Sequence, residues 1–342
     1  MAINRVEIKD FLLFKGEFAV DFCPSVNVLI GGNGTGKTTL MKIMYGLINQ
    51  KLASCFYSRN LKDNISYGKG HIKLIFDTEW STIFEQGAFS DEAYINPLTG
   101  RIEKDGGGTS SQIIEGPPRT PMGYFENRSV YIPEKDMLSH SPGFLALKHE
   151  RPAVPFDDTL TDIIAKAQLY PKKETMNNEL CARIREIIGG EVAFENDSFI
   201  ILKDKTKNQV SFSMEASGYR KLGVLWKLLR NGLLESGSIL FWDEPENSLN
   251  PENVSMLVEM LLELSRNGVQ IFLATHNEIL ASYIAVNRQK GDSVMFISLY
   301  KDGDQIIANK SDRFDLLEPN SLTAEPVKLY EKELERGLGG NG

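Results

Sequence analysis

Apolar positions divide the chain into stretches of different period. Val6, Ile8, Phe18 and Val20 alternate with polar neighbours and predict two strands within residues 1–22, joined near Phe14-Lys15-Gly16. Val26-Asn27-Val28-Leu29-Ile30 is a short apolar run that predicts a buried strand. Leu40, Met41, Ile43, Met44, Leu47 and Ile48 then recur at helical spacing. From about residue 52 to 132 the pattern changes to short β-like runs: His71–Phe76, Ala93–Ile95 and Val130–Ile132. Turn clusters such as Asn96-Pro97-Leu98-Thr99-Gly100 separate them. Gly106–Ser111 and Gly116–Pro121 cannot support a packed core and are expected to be mobile loops.

Helical spacing returns over residues 157–190, first in Leu160, Ile163, Ile164 and Ala167, then in Leu180, Ile184, Ile187 and Ile188. An antiparallel pair is expected from Val192–Phe194 and Phe199–Leu202. A helix opens at Glu215–Lys221 and carries Leu222, Leu225, Trp226, Leu229 and Leu233 on its apolar face. Strand Ile239–Trp242, a helix over 252–266 with Val254, Leu257, Met260, Leu261 and Leu264 inward, strand Ile271–Thr275 and a helix from about 277 complete the pattern. Strands alternating with helices predict βαβ units and a parallel sheet. There is no internal repeat and no sustained heptad array. The last thirty or so residues hold Pro319, Pro326 and a charged helical piece, Lys328–Leu338, which reads as a docking tail or a frayed terminus.

The 342 residues suffice for one large α/β domain or two to three smaller units. Composition is that of an ordinary globule, 42% hydrophobic and 25% charged. No apolar stretch approaches the ~20 residues needed to span a bilayer, and the N-terminus enters a strand pattern rather than a signal peptide. Cys23, Cys55 and Cys181 are far apart with no C-x-x-C pair, which fits a reducing cytoplasm and disfavours a zinc site. A net charge of −8 excludes a protein basic all over, but not a local basic groove for DNA or RNA.

Chemistry concentrates at Gly31-Gly32-Asn33-Gly34-Thr35-Gly36-Lys37-Thr38, a full G-x-x-x-x-G-K-[ST] phosphate loop between a strand and a helix. Its glycines allow backbone N–H groups to curl around a polyphosphate, and the helix adds its positive end. Lys37 is expected on the β- and γ-phosphates, Thr38 on Mg²⁺, and Gly32, Asn33, Gly34, Thr35, Gly36 and Thr39 around the nucleotide. Ser238–Glu246 supplies an apolar strand ending in acids. Asp243 is suited to the Mg²⁺ shell and Glu244 to general-base activation of water. His276, after strand Ile271–Thr275, points into the crevice of an open α/β sheet and suits a γ-phosphate sensor. Ser217-Gly218 at a helix start is either a second anion-binding end or plain capping by Ser217.

In this combination and order the residues resemble the ABC-class ATPases. Walker A is Gly31–Thr38, the signature Glu215–Tyr219, Walker B Ile239–Glu244, the D-loop Ser248–Asn250, and the switch histidine His276. Asn-Gly-Thr-Gly-Lys-Thr-Thr after Asn-Val-Leu-Ile-Gly, the opening Ile-Lys-Asp-Phe-Leu-Leu-Phe, and Ser-Gly-Tyr-Arg-Lys-Leu are similar to the SMC/RecF/OLD-like branch, the "AAA family ATP-binding proteins". The resemblance covers roughly 1–50 and 205–300. It departs from the family pattern in several positions. Ala216 falls where the signature serine is expected, so Ser217 either substitutes or the contact is lost. Asn250 replaces the D-loop acid, Leu12 the basic residue of the early motif, and Glu134 stands where a Q-loop glutamine would hold the metal.

The resemblance implies a P-loop NTPase fold of ABC-head type: α/β, with a mixed β-sheet, an antiparallel β lobe and a helical insertion. Boundaries are expected at 1–150 (lobe I with a β-rich insertion), 151–210 (helical insertion and short hairpin), 211–310 (lobe II) and 311–342 (tail). It also implies ATP and Mg²⁺ as ligands and ATP hydrolysis at an interface completed by a second copy, hence an ATP-dependent homodimer or higher oligomer. One phosphate loop leaves γ-phosphate oxygens exposed, and a second helix N-terminus can cover them only from another subunit or a moving lobe. The chain runs 66 residues past His276, too few for a Toprim nuclease domain, so a separate effector, nuclease or toxin, is expected. The function expected is action on, or sensing of, nucleic acid in anti-phage defence or DNA maintenance. A transporter's ATP-binding subunit and a slowly hydrolysing scaffold are the alternatives.

Overall fold

The computed structural model describes residues 2–49, 51–52, 54–56, 70–77, 81–86, 94–96, 101–103, 110–115, 128–150 and 156–337. The chain opens with strands β1 (Ile3–Phe11), β2 (Phe14–Asp21) and β3 (Val26–Ile30), then helix α1 (Lys37–Ile48). Strands β4 (Gly70–Phe76), β5 (Ser81–Gln86), β6 (Tyr94–Asn96), β7 (Arg101–Glu103), β8 (Ser110–Glu115) and β9 (Ser129–Ile132) follow. Helices α2 (Phe144–Glu150), α3 (Asp158–Gln168) and α4 (Asn178–Ile188) lead to β10 (Gly190–Glu195), β11 (Ser198–Lys203) and β12 (Gln209–Ser211). The remainder is α5 (Ser217–Arg230), β13 (Ile239–Asp243), α6 (Pro251–Arg266), β14 (Gln270–Thr275), α7 (Glu278–Asn287), β15 (Val294–Asp302), β16 (Gln305–Ser311) and α8 (Ser321–Gly337).

The central sheet runs β16-β15-β3-β14-β13-β9. Its strands are parallel except for the β15–β16 hairpin. Both faces are covered, so the strands read as continuous apolar runs rather than alternating ones. Val28, Leu240, Trp242, Ile271 and Leu273 pack toward the helices on one face. Leu29, Phe241, Phe272 and Ala274 pack on the other against α1 and the antiparallel sheet β2-β1-β4-β5-β8. Gln270 ties the two sheets: its side-chain amide accepts from Ile3 N at 2.7 Å and donates to Ile3 O at 2.9 Å and Cys23 O at 2.8 Å. A second antiparallel sheet, β10-β11-β12, follows the helical segment.

Val6, Ile8, Phe18 and Val20 all point inward as their alternation predicts. The turn between β1 and β2, expected near Phe14–Gly16, instead lies at Leu12-Leu13, because Leu12 takes a left-handed conformation (φ 53°) and Phe14, fully buried, already pairs with Phe11. α5 stops at Arg230, short of Leu233. Gly232 (φ 68°) takes the left-handed position that ends the helix, and Leu233 N returns to Leu228 O. Of the two expected loops, Gly106–Thr109 and Gly116–Pro121 lie outside the described residues, while Ser110-Ser111 begin β8. In the tail, α8 is exposed from Pro326 through Arg336. Among the described residues no helix is long and apolar enough to cross a membrane.

Candidate functional site

Register brings the functional ends together. Asp243 pairs with Ala274, and Ala274 with Leu29, so β13, β14 and β3 end at one level. Trp242 pairs with Ile132, which delivers Glu134 to the same rim. The crevice beyond the C-terminal ends of parallel strands is where such sheets bind ligands. Here it is a cavity of about 420 Å³ lined by Leu13, Asn33, Gly34, Gly36, Lys37, Thr38, Thr39, Glu134, Asp243, Glu244 and His276.

The phosphate loop is shaped by its glycines. Gly36 precedes α1 at φ 93°, and a Cβ there would stand 2.7 Å from Leu13 Cδ1 and 3.2 Å from Phe14 Cζ. The conformation favours glycine, and a Cβ would in addition press on the Leu13 side chain. Gly32 and Thr35 do not line the cavity. The Thr35 hydroxyl donates to Gly32 O at 2.9 Å and closes the loop on itself. Lys37 Nζ donates to Gly31 O at 2.7 Å and Gly32 O at 3.2 Å. Burial lowers its pKa to about 8 against the opposing pull of Glu244 and Asp243.

Thr38 Oγ1 donates to Asp243 Oδ2 at 2.8 Å, and Tyr131 OH reaches the same oxygen at 3.3 Å. Burial pushes the Asp243 pKa up. A hydroxyl and a carboxylate are hard oxygen donors. Among the described residues no three His, Cys, Asp or Glu side chains group to cage a cation. The set fits Mg²⁺, which is held by one or two protein oxygens plus phosphates and water rather than by a protein cage. Glu134 lines the same cavity, its carboxylate accepting from Asn247 Nδ2 at 3.1 Å.

Glu244 leaves β13 in the left-handed region (φ 48°), a conformation a non-glycine residue holds only when its surroundings enforce it. Glu244 N bonds to Ala274 O at 2.9 Å, and Lys221 Nζ donates to Glu244 O. Burial, then Glu246 and Asp243, push the Glu244 pKa up to about 7. Glu246 accepts from the Thr275 hydroxyl at 2.5 Å, and its carboxyl also shares a hydrogen bond with Glu244. Its pKa is also raised by burial. His276 Nε2 stands 3.4 Å from Glu244 Oε1. Burial and the Lys37 charge lower the His276 pKa. Asn277 fixes the exit from β14 by capping α7, its Oδ1 accepting from Leu280 N at 3.0 Å.

Ser217 and Gly218 are not in this cavity. Ala216 is extended and Ser217 is the first helical residue of α5, so its hydroxyl, not a residue-216 side chain, marks the helix mouth. Ser217 does not cap α5; its Oγ approaches Ser248 O at 3.4 Å. A Cβ on Gly218 would meet Leu249 Cδ2 at 3.1 Å, so this helix start sits against the 248–250 turn of its own chain. Asn250 precedes α6 without a side-chain cap bond, and Pro251 takes the first turn.

The sequence reading gave no role to Leu13, Tyr131 or Lys221. Leu13 sits in a β-turn distant in sequence from the phosphate loop. Tyr131 lies three residues before Glu134, and Lys221 three residues after Gly218. Strand register links Tyr131 to Asp243, and the packing of α5 brings Lys221 to Glu244.

Residues 125–282 match the family described as "AAA domain, putative AbiEii toxin, Type IV TA system". No curated protein matches the chain. An SMC head bound to the C-winged helix domain of ScpA superposes with TM-score 0.57 at 13% identity, over 91% of this chain and 98% of that one. An SMC head domain from Thermotoga maritima gives 0.51 at 15%, over 91% and 99%. The SMC head with an extended coiled coil bound to the C-terminal domain of ScpA, derived from Pyrococcus furiosus, gives 0.54 at 12%, over 97% and 99%. The fold is that of SMC head domains.

Proposed function

We propose that this chain, an SMC/RecF-like ABC-class AAA ATPase, binds ATP with Mg²⁺ and hydrolyses it at a site completed by a second copy of itself. One observation carries the reading. Lys37, Thr38, Asp243, Glu244 and His276 share one cavity, while the helix start Ser217-Gly218 stands outside it. A helix N-terminus stabilises phosphate only where phosphate can reach it. A second chain across the mouth of the cavity would bring its own helix start to the phosphates.

In this reading Lys37 and the loop N–H groups hold the β- and γ-phosphates, and Thr38 and Asp243 hold the cation. The bound cation neutralises charge on the phosphates. Glu244, next to His276, takes the proton from attacking water, and His276 contacts the γ-phosphate. The dimer then forms with ATP and opens after hydrolysis, because the γ-phosphate contacts differ between the two states.

The family description names a toxin system, and two of the solved relatives are bound to ScpA domains. Both favour an ATPase whose output passes to a separate protein, a nuclease or toxin, in defence or nucleic-acid maintenance. The test is Glu244→Gln. It retains ATP, loses turnover by ~10²–10⁴-fold and accumulates dimers by light scattering. Unchanged turnover removes Glu244 as the base, and an ATP-bound monomer removes the second copy.

A further inference from the structure

Tyr131 is fully buried, and its hydroxyl rests on Asp243 Oδ2 at 3.3 Å. The geometry follows from the sheet. Tyr131 on β9 pairs with Phe241 on β13, and Asp243 is two residues on, on the same face. A diagonal neighbour is within reach of a long aromatic side chain. The ring stacks on Phe241 with centroids 6.4 Å apart and planes at 23°. Behind it stands Tyr45 of α1, centroids 5.6 Å apart. Tyr45 is itself anchored, donating to Asp162 Oδ2 at 2.6 Å. Tyr131 is therefore clamped between the Walker B strand and the phosphate-loop helix.

Packing alone would be satisfied by phenylalanine. A fully buried hydroxyl has to be paired, and this one is paired with the carboxylate oxygen that also accepts from Thr38. Thr38 belongs to the phosphate loop, and its oxygen is the group expected on the cation. Tyr131 is independent of that loop, so its donor stays on Asp243 when the threonine oxygen is engaged elsewhere. A buried carboxylate with one fixed donor keeps one orientation; without it the group is free to turn.

We propose that Tyr131 is a positioning residue whose hydroxyl fixes the Asp243 carboxylate for the divalent cation of a bound nucleotide. The inference rests on the Mg-ATP reading above. The test is ATP binding by titration calorimetry to full-length wild type and Tyr131→Phe, in EDTA and across a Mg²⁺ series. The expected result is unchanged ATP affinity in EDTA and a Mg²⁺ half-saturation raised about tenfold. The same Mg²⁺ requirement in both proteins overturns the inference, as does an equal loss of affinity in EDTA, which marks a merely structural role. A wild type whose ATP binding ignores Mg²⁺ overturns the Mg-ATP reading itself, and the control reports this separately. If Tyr131→Phe does not fold, 3-fluorotyrosine placed at residue 131 gives the second measurement. Its ¹⁹F resonance shifts when Mg²⁺ is added to the ATP-bound protein, and a static resonance contradicts the proposal.

Discussion

His276 Nε2 and Glu244 Oε1 stand 3.4 Å apart at the ends of adjacent parallel strands, with the Glu244 pKa pushed up to about 7 and that of His276 pushed down. Desolvation leads both shifts. Each group is driven toward its neutral form, so the contact is not a fixed ion pair.

The first prediction concerns stability. The Glu244 pKa is raised from 4.5 to about 7, so its ionisation opposes folding. The sign follows: the nucleotide-free protein loses stability as pH rises from about 4.5 through 7. Glu244→Gln removes the charge. Discounted for solvent screening, it is expected to gain ~1 kcal/mol over wild type at pH 8, with most of the gain gone by ~pH 5. Thermal melts at the two pH values measure it; a gain independent of pH contradicts the desolvated-charge account.

The second concerns protons. Burial holds Lys37 at about 8, and phosphate oxygens favour its charged form. ATP binding at pH 8 is expected to take up about half a proton. Calorimetry in buffers of different ionisation enthalpy reads the number, compared between wild type and Lys37→Met so that the difference reports the lysine against the other titrating groups of the site. No buffer dependence would place Lys37 away from the phosphates.

The third concerns the clamp behind the phosphate loop. Asp162 on α3 accepts from Tyr45 OH at 2.6 Å and pairs with Lys51 at 2.5 Å, and Lys166 Nζ lies over the Tyr45 ring at 5.6 Å. Asp162→Ala strands a buried hydroxyl and removes the carboxylate that supports the Lys166 charge. The expected cost is about 2–4 kcal/mol in urea melts, with Asp162→Asn recovering part through Tyr45. A loss under ~0.5 kcal/mol would mean that α3 and α1 are not coupled through this cluster.

Much of the site could be read along the chain because its parts are local. The phosphate loop, the acid-ending strand at Asp243-Glu244 and the helix start at Ser217 are each contiguous, and the resemblance they carry agrees with the fold of the solved SMC heads. What escaped is non-local or irregular. Nothing adjacent in sequence joins Tyr131 to Asp243 or Lys221 to Glu244; only strand register and helix packing do. The β15–β16 hairpin turns on Gly303-Asp304, with Gly303 in the left-handed region, a two-residue loop that carries a local signal in the sequence. The short helix α2 has no buried residue, so no periodic apolar face announced it.

The central claim is that the Lys37 cavity and the Ser217 helix start act across two copies, and mixing tests it most directly. Lys37→Ala removes the phosphate-loop cation, and Ser217→Arg blocks the helix mouth; each alone is expected to be inactive in ATP turnover. Combined in equal amounts, half the dimers pair one of each and hold one intact site of two, so turnover returns to about a quarter of wild type. Full turnover by Ser217→Arg alone, or a mixture no more active than its components, would contradict a site shared between two chains.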